Sequence, residues 1–105
     1  MPLLIFSCLA ACQEQIVERP FDRDSIAAVR SILSARVIEF ESVQPSDDGY
    51  LTCGRVLVRQ KGSEPRSLRF IGYGNLNKPD IESVSDQTLI DEVWQTFCSG
   101  RGAAQ

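Results

Sequence analysis

Residues 50–74 read YLTCGRVLVRQKGSEPRSLRFIGYG, and this stretch predicts a β-hairpin. Valine, leucine and aromatic residues are frequent in its two arms, Tyr50–Gln60 and Arg66–Gly74. Between the arms, Lys61–Pro65 (KGSEP) combines a glycine and a proline, which are typical of turns. Two such runs joined by a short turn indicate antiparallel strands. The hairpin is therefore the predicted centre of the fold.

The two arms differ in how clearly they show an inward face. Val56 and Val58 are the clearest inward pair of the first arm. Gly54 interrupts the alternation, and a β-bulge near it would bring Cys53 to the same face as the valines. In the second arm two inward sets stay open, namely Leu68 with Phe70, or Ile71 with Tyr73.

A helix and a further strand precede the hairpin. Apolar residues recur at helical spacing and predict a helix over residues 23–35, at positions Ile26, Val29, Ile32 and Leu33. Asp22 is placed to cap this helix, with Phe21 and Ile26 at the hydrophobic-staple positions. Over residues 37–43 the period changes to two, which predicts a strand with Ile38 and Phe40 inward.

Turns and a second helix complete the predicted elements. Pro45–Gly49 (PSDDG) predicts a turn, and its adjacent aspartates lack the alternating oxygen ligands of a calcium loop. Asn75–Ser83 is predicted as a loop, after which Ser85 or Asp86 begins a helix that ends near Ser99. Its apolar row comprises Leu89, Val93 and Phe97, flanked by Ile90 and Trp94. The sequence thus predicts an α+β fold, with an N-terminal helix, a three-stranded antiparallel meander and a C-terminal helix on the sheet.

Composition excludes several classes of function. The 105 residues carry a formal net charge of −3, whereas a nucleic-acid-binding surface is basic. The sequence contains no histidine, which removes Ser-His-Asp and Cys-His catalysis and the commonest metal ligand. We therefore expect no nucleic-acid partner, no metal and no cofactor.

The N-terminal residues indicate how the protein is held in the cell. Leu3–Ala11 is apolar except for Ser7. As a helix it would span about 14 Å, too little for a hydrocarbon core of about 30 Å. Leu9-Ala10-Ala11-Cys12 then matches all four positions of a lipobox, so the segment resembles the signal peptide of bacterial lipoproteins. An ordinary signal peptide, cleaved after Cys8-Leu9-Ala10, and a buried N-terminal strand stay open as alternatives.

The resemblance implies a lipid anchor and a division of the chain. Cleavage between Ala11 and Cys12 would leave Cys12 as the lipidated N-terminus, and several acyl chains together anchor a protein stably. Gln13 follows it, where enterobacterial lipoproteins retained at the inner membrane carry aspartate. The expected location is therefore the cell envelope, facing the periplasm, at the outer rather than the inner membrane. The implied segments are a signal peptide (1–11), a tether (12–20), one domain (21–100) and a flexible tail (101–105).

The cysteines divide as export predicts. With Cys8 removed and Cys12 acylated, Cys53 and Cys98 remain as a pair in an oxidising compartment, where disulfides form. We expect a disulfide between them that joins the second helix to the central hairpin. Two buried free thiols are the alternative.

Three short motifs stand in the predicted core, namely Cys53-Gly54-x-Val56, Phe70-Ile71 and Trp94-x-x-x-Cys98. Together they resemble those of small exported proteobacterial proteins of uncharacterised function, over about residues 25–98. The resemblance implies the disulfide and the order of the elements, and it implies no activity.

One charge asymmetry indicates a binding surface. Against the single acidic Glu64, the hairpin carries five basic residues, namely Arg55, Arg59, Lys61, Arg66 and Arg69. On a tethered domain this surface would meet anionic lipid headgroups, acidic glycans or an envelope protein. The preferred interpretation is a solvated outer face whose charges deter edge pairing, and the binding surface is the alternative.

These features predict an anchored, non-enzymatic protein with a binding or structural role at the envelope. A second hypothesis is an accessory lipoprotein of a conjugation, secretion or lysis assembly. A third is a small enzyme that uses paired carboxylates, either Asp91 with Glu92 or Glu39 with Glu41. Such a pair needs a cleft that separates the two pKa values.

Overall fold

A computed structural model describes residues 19–74 and 78–99, which form two helices and a four-stranded antiparallel sheet. The strand order is β1-β2-β3-β4, so each strand pairs with the next along the chain. The elements are α1 (Pro20–Leu33), a 3₁₀ turn (Ser34–Arg36), β1 (Val37–Pro45), β2 (Thr52–Gln60), β3 (Ser63–Gly72), β4 (Asp80–Ile81) and α2 (Gln87–Val93), with a π-helical turn (Trp94–Cys98) after it. The α+β class is confirmed. The fourth strand was not predicted.

Helix α1 begins three residues before its predicted start. Pro20 fits the first turn, because an N–H group there has no partner within the helix. Asp22, predicted as the cap, lies two residues further in, and its carboxylate accepts the backbone N–H of Arg19 at 2.9 Å. Arg19 is therefore the capping residue, and Phe21 and Ile26 do not occupy the staple positions.

The sheet carries a separate core on each face. The core under α1 comprises Val29, Leu33, Val43, Val56, Val58, Leu68, Phe70 and Ile81. The core under α2 comprises Cys53, Ile71, Ile90, Trp94 and Cys98. Successive strand residues point to opposite faces, so the two inward sets considered for the third strand are both realised, one on each side.

The bulge predicted near Gly54 does not bring Cys53 to the face of the valines. The pairing of β1 with β2 shifts register between Phe40 and Ser42, opposite Val56 and Arg55. Gly54 pairs regularly with Val43 on one side and with Phe70 on the other, so Cys53 stays on the face opposite Val56. A Cβ atom at Gly54 would lie 2.3 Å from Cζ of Phe70 and 2.7 Å from the Ser42 carbonyl oxygen. The glycine is therefore required by the close approach of an aromatic ring.

Strand β1 departs from its predicted alternation. Its pairing with β2 shifts register between Val37 and Glu39, and Ile38, predicted inward, is exposed at the shift. Phe40 is half-buried and contacts Phe70 edge to face, with ring centroids 5.7 Å apart. The turn predicted after this strand is present, and β2 begins at Thr52 rather than at residue 50.

The buried row of α2 differs from the predicted one. Asp86 caps the helix, since its carboxylate accepts the backbone N–H of Thr88 at 2.9 Å. Leu89, expected on the apolar row, is exposed, whereas the buried positions are Ile90, Trp94 and Cys98. This row faces the sheet, where Cys98 forms a disulfide with Cys53. The expected disulfide is thus present, with Cα atoms 5.9 Å apart.

Candidate functional site

The five basic residues predicted as one surface do not share one face of the sheet. Arg55 and Arg69 are direct neighbours across β2 and β3, on the face that carries α2. Arg66 is paired with Val58 and therefore lies on the α1 face. Arg59, Lys61 and Arg66 are exposed close to the hairpin turn. The structure thus divides the set into an Arg55–Arg69 pair and an exposed group at the hairpin tip.

Arg69 is held by two carboxylates. Its Nη2 donates to Oε2 of Glu82 at 2.7 Å and to Oδ1 of Asp91 at 2.5 Å, and its backbone N–H donates to Oε1 of Glu82 at 2.8 Å. Gln87 bridges both acids through its side-chain amide. Glu82 and Gln87 were absent from the predicted site, because Glu82 lay in a predicted loop and nothing in the sequence links it to Arg69.

The charges of this cluster shift the pKa values of its members. Burial on its own would raise the pKa of Glu82, but hydrogen bonds from Arg69 and Gln87 outweigh it and lower the pKa to about 2. Hydrogen bonds from Arg69 and Gln87 also lower the pKa of Asp91. The pKa of Arg69 is raised, chiefly by its hydrogen bond to Glu82. All three groups are therefore ionised at neutral pH.

Trp94 lies beside this cluster and contacts both guanidinium groups of the cross-strand pair. The Cζ atoms of Arg55 and Arg69 are 5.3 and 5.4 Å from its ring centre, within cation–π range. The adjoining groove encloses about 420 Å³ and is lined by Arg69, Asp91, Trp94, Gln95 and Ser99. Only 8% of Trp94 is exposed, so the ring is buried by the protein itself and offers a ligand little area for stacking.

The carboxylates considered for catalysis do not face each other across this groove. Asp91 lines the groove and Glu92 does not, because adjacent helical residues point about 100° apart. Glu41 accepts a hydrogen bond from the Ser67 hydroxyl at 2.5 Å, and Glu39 is exposed. In Asp91 the lowered pKa favours the ionised form, which is unsuited to donating a proton at neutral pH.

The buried carboxylate of Asp22, predicted only as a helix cap, connects α1 to β2 through hydrogen bonds. Asp22 has no exposed side-chain surface, and its Oδ1 accepts from Arg19 Nη2 at 2.9 Å and from the Thr52 hydroxyl at 2.5 Å. Burial on its own would raise the pKa of Asp22, but these hydrogen bonds lower it overall. An ionised, fully bonded carboxylate of this kind stabilises the fold and has no proton to exchange.

Several expectations fall outside these contacts. Residues 1–18 and 100–105 lie outside the described residues, and with them the predicted signal peptide, the lipobox with Cys12, most of the predicted tether (12–20) and the predicted tail (101–105). Within residues 19–74 and 78–99, no group of three or more acidic or cysteine side chains is arranged to hold a metal ion. In the same part of the chain, no helix has the length and apolar character needed to cross a membrane.

Comparison with known protein families, with curated proteins and with solved structures found no match to this chain.

Proposed function

We propose that this chain is a lipid-anchored protein of the bacterial cell envelope, whose disulfide-bonded domain has a non-enzymatic binding role. The observation that carries the proposal is the sequence Leu9-Ala10-Ala11-Cys12, which provides a cysteine for lipidation. The Cys53–Cys98 disulfide supports it, since such bonds persist in oxidising compartments such as the periplasm. The domain would face the periplasm, from the outer rather than the inner membrane.

The surface chemistry favours binding over catalysis. In the groove beside Trp94, Arg69 is paired to Glu82 and Asp91, so both charged residues that line this groove are paired. The hairpin tip differs, because Arg59, Lys61 and Arg66 are exposed there and make no salt bridge within the described part of the chain. An anionic envelope component is therefore the kind of partner that this surface fits.

The anchor is tested by metabolic labelling with a fatty acid in a bacterial host. Wild-type protein should take up label and Cys12→Ser protein should not. Cys8→Ser is the matched control, because it removes a thiol four residues earlier and should leave labelling unchanged. Label retained by Cys12→Ser would overturn the lipid anchor at Cys12. Loss of label from Cys8→Ser would show that labelling depends on Cys8, which contradicts the assignment to Cys12.

The binding role is tested separately by reversing charge at the hairpin tip. A triple variant, Arg59→Glu with Lys61→Glu and Arg66→Glu, should lose cross-linking to its acidic envelope partner in intact cells. The control is Arg23→Glu with Arg36→Glu, at exposed positions outside the hairpin. Equal loss in both variants would show a general charge effect, and no loss in either would remove the hairpin tip from the binding role.

A further inference from the structure

The start of α1, where the predicted tether ends, is hydrogen-bonded to the turn between β1 and β2. Arg19, the first described residue, donates from Nη1 to the Gly49 carbonyl at 2.7 Å and from Nη2 to the Leu51 carbonyl at 3.0 Å. Tyr50 lies between these two acceptors, in the turn that joins β1 to β2. The turn and the start of α1 are therefore neighbours at one end of the sheet.

Tyr50 is presented outward by a well-bonded turn. Asp48 accepts the Tyr50 backbone N–H at 3.0 Å, and the Ser46 hydroxyl accepts that of Leu51 at 3.0 Å. Tyr50 is 77% exposed, the highest value among the large apolar residues of the described part of the chain. Because hydrogen bonds already order the backbone of this turn, Tyr50 would lose little backbone entropy on binding a partner surface.

The length of the tether limits how far this turn is from an anchored N-terminus. Seven residue steps separate Cys12 from Arg19, which span at most about 25 Å in any conformation. The hairpin turn at Lys61 lies at the opposite end of β2, whose nine residues extend for about 30 Å. A lipid at Cys12 therefore keeps the Tyr50 turn within reach of the bilayer, whereas the hairpin tip lies the length of β2 further along the sheet.

We propose that the Tyr50 turn contacts the headgroup layer of the membrane that anchors the chain, with the hairpin tip directed away from it. This inference rests on the proposed lipid anchor. Tyrosine suits that position because its ring is apolar and its hydroxyl stays hydrated, as in the aromatic belts of membrane proteins. Asp47 and Asp48 are exposed in the same turn, so the contact fits zwitterionic rather than anionic headgroups.

This orientation also decides which anionic partner the hairpin tip meets. Arg59, Lys61 and Arg66 face away from the anchoring bilayer in this arrangement. An acidic partner then approaches from the periplasmic side, and the headgroups of the chain's own membrane are out of reach.

The test uses the acylated full chain in vesicles of zwitterionic phosphatidylcholine brominated in the upper acyl chain. Tryptophan is introduced by Tyr50→Trp and, as the matched control at the other end of β2, by Lys61→Trp. Both positions are exposed, so both variants should fold. The chain has a single native tryptophan, the buried Trp94, whose emission is subtracted by measuring the parent protein.

The expected result is quenching of the introduced tryptophan in Tyr50→Trp and no quenching of the introduced tryptophan in Lys61→Trp. Equal or stronger quenching of Lys61→Trp, or no quenching of Tyr50→Trp, would overturn the orientation while leaving the anchor intact. A purified chain whose mass shows no acyl group would instead overturn the anchor and the orientation together.

Discussion

The close contact between Gly54 and Phe70 gives the sharpest prediction. In Gly54→Ala, the new Cβ would lie 2.3 and 2.5 Å from two carbons of the Phe70 ring. Carbon atoms in contact are about 3.5–4.0 Å apart, so ring and strand must separate by more than about 1 Å. Phe70 has no exposed surface and packs edge to face on Phe40, so the ring has no space to move into.

We expect Gly54→Ala to lower the free energy of unfolding by about 2–3 kcal/mol, in the upper part of the range of about 1–3 kcal/mol for an overpacked core. The lower entropy of alanine in the unfolded chain offsets about 0.5–1 kcal/mol of the strain and is included in that figure. In a domain of this size the melting temperature should fall by about 10–20 °C. Urea unfolding followed by circular dichroism measures the change, with the exposed Arg59→Ala in the same strand as control.

A double-mutant cycle tests the cause. Phe70→Leu should destabilise by about 1–2 kcal/mol on its own, because it leaves a cavity. In the Gly54→Ala background it also relieves the clash, so the double variant should be more stable than the sum of the single effects by at least about 1 kcal/mol. Strict additivity, or a Gly54→Ala protein within about 0.5 kcal/mol of wild type, would refute the reasoning.

Three further changes test the remaining stabilising contacts. Replacing both Cys53 and Cys98 with alanine opens a loop of sequence separation 45, and should lower stability by about 4 kcal/mol in the chain-entropy model. Reduction should destabilise wild type in urea and leave that variant unchanged, and equal urea midpoints for the two oxidised proteins would contradict the expectation. Asp22→Asn removes the ionised partner of Arg19 and should lower the free energy of unfolding by about 2 kcal/mol, measured in urea at pH 7. A change of less than about 0.5 kcal/mol would contradict a stabilising role for the buried Arg19–Asp22 ion pair. The pKa of Glu82 is lowered in the folded state, so its contribution is complete above about pH 4.5 and is lost as the pH falls towards 2. Between pH 6 and pH 2.5 the urea midpoint of Glu82→Gln should therefore fall less than that of wild type, and parallel curves would exclude the ion pair as the cause.

Much of the secondary structure could be predicted because its signals are local. Alternating valines identified β2, helical spacing identified both helices, and turn residues separated the strands. The predicted start of α1 is wrong because a proline at position 20 also fits the end of a tether. A proline is equally suited to a first helical turn. The hydrogen bond from the backbone N–H of Arg19 to the Asp22 carboxylate places Pro20 in the helix rather than in the tether.

The predicted basic surface was only partly realised. Five basic residues close together in sequence indicated one patch, but strand alternation places Arg66 on the α1 face and Arg69 on the α2 face. Arg69 then meets Glu82 and Asp91, which lie 13 and 22 residues away in sequence. No spacing rule links such residues, because the contact is created when β4 and α2 fold back beside β3.

The sequence by itself determined the hairpin, the turns and the two amphipathic helices. These depend on side-chain periodicity and turn chemistry, which act over a few residues. Only the tertiary structure decided that the sheet has a core on both faces and that Gly54 makes room for Phe70. The physical reason is that a strand residue alternates between faces locally, but what covers each face is set by helices distant in sequence.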